Sequence, residues 1–259
     1  MNAREHALSA AARAGVEVRE LSAMSEVSSV AGLLGAVWGR PESPPMTAEL
    51  LRAFAKAGNY VGGAYVGDRL VGACVGFHAS PQERIVHSHI AGVLPEYAGR
   101  AVGFALKLHQ RAWALENGTG VIEWTYDPLV ARNAYFNIVK LGARPVEYLP
   151  NFYGAMRDGI NGDDDTDRLM VHWVLESADV VAACEGRATG RPAAPLDGVR
   201  VGVPEDVEAL RVADPGKARE WRLQVRDQLV PLLAAGGHII DFDRVGGYLV
   251  APATTGETK

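Results

Sequence analysis

From Ile85 to Asn117 the chain passes from an apolar strand, through a loop holding Gly99 and Gly103, into an amphipathic helix. Ile85 to Val93 reads as a strand. From Val102 to Asn117 the positions Ala105, Leu108, Ala112 and Leu115 recur at helical spacing, and Asn117-Gly118 supplies the stop. A strand that turns directly into a helix leaves the first backbone N–H groups of that helix unpaired. The positive end of the helix dipole then faces whatever lies before it, which favours phosphate oxygens. The segment therefore predicts an anion site, with Arg100 placed to add a charged clamp.

The surrounding pattern is mixed α/β. Val16 to Leu21 alternates as a short strand, and helices are expected at about 26–38 and 47–57 on either side of the proline-rich stretch from Pro41 to Pro45. Tyr60 to Val66 and Leu70 to Phe77 read as a hairpin across Gly67-Asp68-Arg69. Further on come a strand at Val121 to Tyr126, a helix at Ala131 to Lys140 closed by Gly142, and strands at Ala143 to Tyr148 and Leu169 to Leu175. The composition break from Ala188 to Gly198 reads as a linker. This gives a main domain over 1–187, a linker over 188–198 and a small α/β module over 199–259. In the module a strand at Val199 to Val203 precedes a short helix begun by Pro204, a longer helix at about 217–235 and two short strands around Ile239 and Tyr248.

The chain has 259 residues, 48% apolar and 22% charged, so it can bury a substantial core. A net charge of -5 argues against a nucleic-acid partner, because phosphate backbones need a dense field of Lys and Arg. Cys74 and Cys184 are the only cysteines and lack the paired spacing of a metal or redox centre. No stretch approaches the roughly 18 apolar residues of a membrane span, and the N-terminus lacks the apolar run of a signal peptide. A cytoplasmic protein without a membrane partner is expected.

The segment from Gly92 to Leu106 resembles motif A of the GNAT superfamily of acyl-CoA-dependent N-acyltransferases. There an apolar strand ends in Val-x-Pro, as Val93-Leu94-Pro95 does here, and Tyr-x-Gly-x-Gly-x-Gly leads into a helix. The resemblance implies that the loop holds the pyrophosphate of coenzyme A through Val93, Gly99, Arg100, Ala101, Val102 and Gly103, and that the strand pairs its backbone with the pantetheine arm. Ala98 and Ala101 depart from the usual pattern, and a shifted register, Arg100-x-x-Gly103-x-Ala105, fits it as well. Asn133 to Ala143, with Lys140-Leu141-Gly142, resembles motif B, which adds Asn133 and Asn137 to the cofactor residues. Many members carry a thiolate-protonating tyrosine two residues before that lysine. Ile138 stands there, so Tyr135 or an Asn would have to serve instead. The fold implied is a mixed, mostly antiparallel central sheet flanked by helices. The Trp124 to Leu129 and Arg132 to Ala134 segments resemble a little-characterised bacterial branch of the superfamily.

An ammonium acceptor must lose a proton before its nitrogen attacks a thioester, and histidine suits that task near neutral pH. His87 and His89, two apart on one strand, share a face and are the first candidates for general base, with Glu123 in reserve. Trp124, Tyr126, Asp127 and Tyr153 are the candidates for lining the acceptor site. No metal is expected, since the paired histidines have no evident third ligand. The function expected is transfer of an acyl group, acetyl or else succinyl, from a coenzyme A thioester to a small-molecule amine such as an amino acid, without a covalent enzyme intermediate. The alternative is a non-catalytic acyl-CoA sensor or partner-binding subunit. In the long helix near the C-terminus, Trp221, Val225, Leu229 and Leu232 form an apolar stripe, to be buried on the main domain or across a homodimer interface.

Overall fold

The computed structural model describes residues 1–154, 164–187 and 197–253. It divides into two compact units: Met1–Trp124 with Val174–Ser177, and Thr125–Trp173 with Ala178 onward. The expected linker at 188–198 lies, apart from Asp197 and Gly198, outside the described residues.

The first unit begins with helix α1 (Ala3–Ala14), which the sequence reading did not foresee. Asn2 and Glu5 close a reciprocal capping box at its start, and Gly15, at φ 66°, ends it in the left-handed conformation that glycine adopts without strain. Its buried face is small, Ala7, Ala10 and Ala11 beside His6. Strand β1 (Glu17–Glu20), helices α2 (Met24–Val37) and α3 (Ala48–Lys56), and strands β2 (Tyr60–Val66), β3 (Arg69–His78) and β4 (Ile85–Val93) follow. Helix α4 (Val102–Glu116) then leads to β5 (Val121–Tyr126), whose last two residues belong to the second unit.

The strands order as β1-β2-β3-β4-β5. The first three pairings are antiparallel and the β4–β5 pairing is parallel. Leu21, Val30, Leu34, Leu51, Val61, Ala73 and Val75 build a core between this sheet and α2 and α3, while α4 packs on the other face.

One irregularity in β4 decides what each of its side chains faces. Val75 pairs with Ile90 but the next residue, Gly76, pairs with Ser88, which leaves His89 as the extra residue of a β-bulge. Before the bulge, Ser88 points to α4 and His87 to the opposite face, where Phe77 lies. After it the parity is inverted. A Cβ on Gly92 would meet Trp38 at 2.8 Å on the α2 side, whereas Val93 turns toward Gly103 of α4.

In the second unit, helix α5 (Ala131–Ala134) widens into a π-helical turn at Tyr135–Lys140, where a uniform α-helix was expected. Strands β6 (Arg144–Leu149) and β7 (Arg168–Val174) pair antiparallel. After helix α6 (Ala178–Cys184), a second sheet takes the order β8-β10-β9 from Val199–Val201, Gly247–Ala251 and His238–Asp243. Helix α7 (Val207–Ala213) starts later than Pro204 because Asp206 is its cap, accepting from the N–H groups of Glu208 and Ala209. Helix α8 (Pro215–Ala234) has Pro215 in its first turn and Asp214 as its cap.

The buried face of α8 is Ala218, Arg222, Val225 and Leu229, packed toward β6, β8 and α7. Of the expected stripe, Val225 and Leu229 lie on this face, Trp221 and Leu232 are only half-buried, and an arginine takes the position beside Trp221.

Candidate functional site

The loop between β4 and α4 makes two left-handed turns and leaves open space at the start of the helix. Pro95–Tyr97 forms a single 3-10 turn, Gly99 has φ 78°, and Ala101, the residue before the helix, has φ 60°. Val102, Gly103 and Phe104 occupy the first helical turn, where backbone N–H groups have no intrahelical acceptor. Gly103 is the informative position. A Cβ built there meets nothing nearer than Val93 Cγ2 at 4.0 Å, so the space before the helix is open and the fold itself does not demand glycine. Arg100 is exposed, with its guanidinium 5.1 Å from the Tyr97 ring centroid, and Arg69 approaches the same ring at 5.5 Å. Val93 and Gly103 thus border one open space at the start of the helix, while Gly99, Arg100 and Ala101 form the loop before it and Val102 begins the helix. Among the described residues, β4 pairs with β5 only at Ile85, Val86 and His87, opposite Val121, Ile122 and Glu123. Ser88 to Val93 therefore continue toward this open space with that backbone edge unpaired to β5.

The three candidate bases cluster in the same unit. His87 Nδ1 lies 3.2 Å from Glu123 Oε1, and the two side chains are 15% and 19% exposed. Phe77 stacks on His87 with ring centroids 5.1 Å apart, and the His89 ring lies 6.2 Å from that of His87. His89 is exposed on the bulge, yet the protein packed around it lowers its pKa, with His87 adding to the shift.

The opposite face of β4 and β5 holds a buried polar cluster that sequence reasoning missed. Lys107 Nζ donates to Ser88 Oγ at 2.9 Å and to Gln110 Oε1 at 3.1 Å, and sits 3.6 Å from the centroid of Trp124. Burial drives the Lys107 pKa down to about 8. Trp124, expected at the acceptor site, is 7% exposed and covered by this lysine. No periodicity could reveal the cluster, because α4 is buried on most of its circumference and Lys107 and Gln110 occupy positions that an amphipathic helix would leave in water.

The remaining candidates lie in the second unit. Asp127 does not offer a free carboxylate for an ammonium: Arg222 binds Oδ1 at 2.9 Å and Oδ2 at 3.0 Å, Arg211 reaches Oδ2 at 2.5 Å, and the Leu129 N–H donates to Oδ1 at 2.9 Å. Burial alone would raise its pKa. The charge and hydrogen bonds of Arg222, with Arg211 behind them, instead hold it at about 2. Arg222 also binds Asp164 Oδ2 at 2.8 Å, and Arg226 holds Asp167. Tyr126 is buried, with a raised hydroxyl pKa from desolvation. Tyr153 is 41% exposed, and its hydroxyl lies 3.2 Å from Thr125 Oγ1. Tyr135 is half-buried on the π-turn, its ring flanked by Lys140 at 5.8 Å and Arg244 at 5.1 Å. Asn133 is half-buried and Asn137 buried.

No protein-family model matches the sequence, and no curated protein matches it. Solved structures do. The ribosomal-protein-S18-alanine N-acetyltransferase of Escherichia coli superposes with a TM-score of 0.51 at 10% identity, covering 63% of this chain and 96% of its own. A GNAT-family acetyltransferase from Streptococcus pneumoniae gives 0.51 at 13% identity, over 61% of this chain and 97% of its own. The fold is that of the GNAT acetyltransferases. The yncA protein of Salmonella typhimurium, solved with its cofactor acetyl-CoA, gives 0.50 at 16% identity, over 63% and 96%. In this GNAT fold the loop at the start of α4 is the segment singled out from the sequence. Among the described residues no helix is long and apolar enough to cross a membrane, and no group of three or more His, Cys, Asp or Glu side chains is placed to hold a metal ion.

Proposed function

We propose that this chain is an acyl-CoA-dependent N-acyltransferase that transfers an acyl group directly to the amine of a small molecule such as an amino acid. The observation that carries the reading is the open space before Gly103, where first-turn amides converge beside the unpaired edge of β4. Coenzyme A would lay its pyrophosphate against the amides of Val102 and Gly103, with Arg100 as a clamp, and its pantetheine arm along Ser88 to Val93. The acyl group it supplies is then attacked by a deprotonated amine, the proton going to a base among His87, His89 and Glu123. The neighbours support this reading: each is described as an acetyltransferase, and one was solved with acetyl-CoA.

Acetyl is the donor group favoured. A succinyl donor would need a cation for its free carboxylate; Arg132 is engaged by Glu208 and Arg168 lies beside Asp127, while Arg157 lies outside the described residues. The E. coli neighbour is named for a protein acceptor, so peptides beginning with alanine belong in the test beside free amino acids.

Acetyl-CoA binding by calorimetry, followed by thiol release against both acceptor sets, tests the reading. Gly103→Val fills only open space and replaces the poorer helix former of the two, so the variant should fold. Its Kd for acetyl-CoA should rise by about tenfold or more, a loss of roughly 1.4 kcal/mol. An unchanged Kd would place the cofactor elsewhere.

A further inference from the structure

Phe77, His87 and Glu123 are directly opposite one another on three neighbouring strands, Phe77 paired with His87 across β3–β4 and His87 with Glu123 across β4–β5. The imidazole is thus gripped from both sides. Phe77 stacks against it at an interplanar angle of 29°, which fixes the plane of the ring, and Glu123 takes Nδ1 at 3.2 Å. A carboxylate can only accept a hydrogen bond, so Nδ1 carries the hydrogen and Nε2 keeps its lone pair. From this we infer that His87 is the general base, and that Glu123 is a positioning residue which selects its tautomer.

This assignment rests on the acyl-transfer reading and separates the roles of three residues that the sequence left interchangeable. His87 Nε2 takes one proton from the acceptor ammonium, and the freed lone pair forms the N–C bond at the thioester carbonyl. The C–S bond breaks with its electron pair passing to sulfur. The nitrogen sheds its second proton as the thiolate gains one, so one proton per turnover leaves from the imidazolium to solvent. His89 has no carboxylate partner in this row and sits on the bulge, and its lowered pKa keeps it from adding a second positive charge beside His87. Glu123 also stabilises the imidazolium that forms, a role that neither Phe77 nor His89 can take.

The test uses the whole chain labelled with 15N, reading the imidazole nitrogens by two-bond 1H–15N correlation, together with steady-state rates for acetyl-CoA and the amine panel. In the wild type His87 should show a protonated Nδ1 and an unprotonated Nε2 when neutral. In Glu123→Gln, whose amide can donate as well as accept, that preference should be lost, with kcat down about tenfold or more while the KM for acetyl-CoA stays put. Glu123→Asp should restore part of both. His87→Ala should cost about a hundred- to ten-thousand-fold in kcat, and His89→Ala less than tenfold. A wild-type His87 protonated on Nε2, or a tautomer preference unchanged in Glu123→Gln, would overturn the assignment. These spectra need no turnover, so they can overturn the assignment even if no amine in the panel reacts. Failure of acetyl-CoA to bind the wild type would instead strike the acyl-transfer reading and leave the tautomer result standing.

Discussion

Two buried cations show how differently this chain treats charge in its two units. Arg222 is 1% exposed and is met by the carboxylates of Asp127 and Asp164. Burial would lower its pKa, but those two charges raise it. Lys107 is 5% exposed and is held by the hydroxyl of Ser88, the amide oxygen of Gln110 and the face of Trp124. There burial prevails. The first arrangement is a lock, in which removing one charge strands the others. The second is a cation close to giving up its proton, and its position on α4 is one turn beyond Gly103.

The largest expected effect breaks the lock. Arg222→Met leaves Asp127 and Asp164 buried without their main partner, which should cost about 3 to 5 kcal/mol of unfolding free energy at neutral pH. Urea denaturation measures it, and adding Asp127→Asn should recover part of the loss, because the stranded carboxylate is gone. Acid gives a second reading of the same lock. The folded pKa of Asp127, about 2, lies below the unfolded value of about 3.9. Its stabilisation is therefore complete above pH ~4 and is lost as the pH falls toward 2, and the variant should lose less stability than the wild type over that window. A loss near zero for Arg222→Met would mean that the cluster is no lock.

The next effect belongs to Lys107, with the opposite sign. The folded protein releases this proton near pH 8, whereas the unfolded chain holds it to about 10.4. Between those values the unfolded state binds more protons, so stability should rise with pH, by roughly 3 kcal/mol in all. Lys107→Met should flatten that rise when wild type and variant are compared from pH 7.5 to 10.5. Parallel curves would show that the ammonium is better solvated than the contrast with Arg222 requires.

These two clusters also mark where the sequence was legible. The strand–loop–helix segment could be read because its signals are local: alternation in β4, helical spacing in α4 and Asn117-Gly118 as the stop, with β4 and β5 observed at the expected bounds. Helix α1 escaped because its buried face is alanine, which gives little contrast with its exposed side. The pairing of His87 with Glu123 depends on β4–β5 register, and the common face of His87 and Ile90 depends on a bulge, neither of which a linear pattern encodes. Asp127 looked available because the arginines that occupy it, Arg211 and Arg222, lie more than 80 positions away in sequence. The stripe on α8 is incomplete for a related reason: apolar spacing alone leaves Arg222 out, and Arg222 is buried through partners on other elements.

The smallest effect separates charge from hydrogen bonding within the second unit. Tyr248 is fully buried, and its hydroxyl donates to the carbonyl of Pro128 at 2.7 Å, one residue from Asp127. Desolvation raises the hydroxyl pKa well above its usual value, so the group is neutral throughout the range in which Asp127 and Lys107 titrate. Tyr248→Phe keeps the ring, and with it the edge-on packing against Phe242 at 4.9 Å, but leaves the carbonyl without this donor. A neutral hydrogen bond of this kind is worth about 1 kcal/mol net, rising to about 2 when the buried acceptor finds no substitute. The loss should be the same at pH 4 and pH 9, since no proton equilibrium changes with the substitution. If Tyr248→Phe cost as much as Arg222→Met, the stability of this unit would come from polar contacts in general rather than from its ion pairs. The contrast between the two buried cations would then concern proton affinity and not stability.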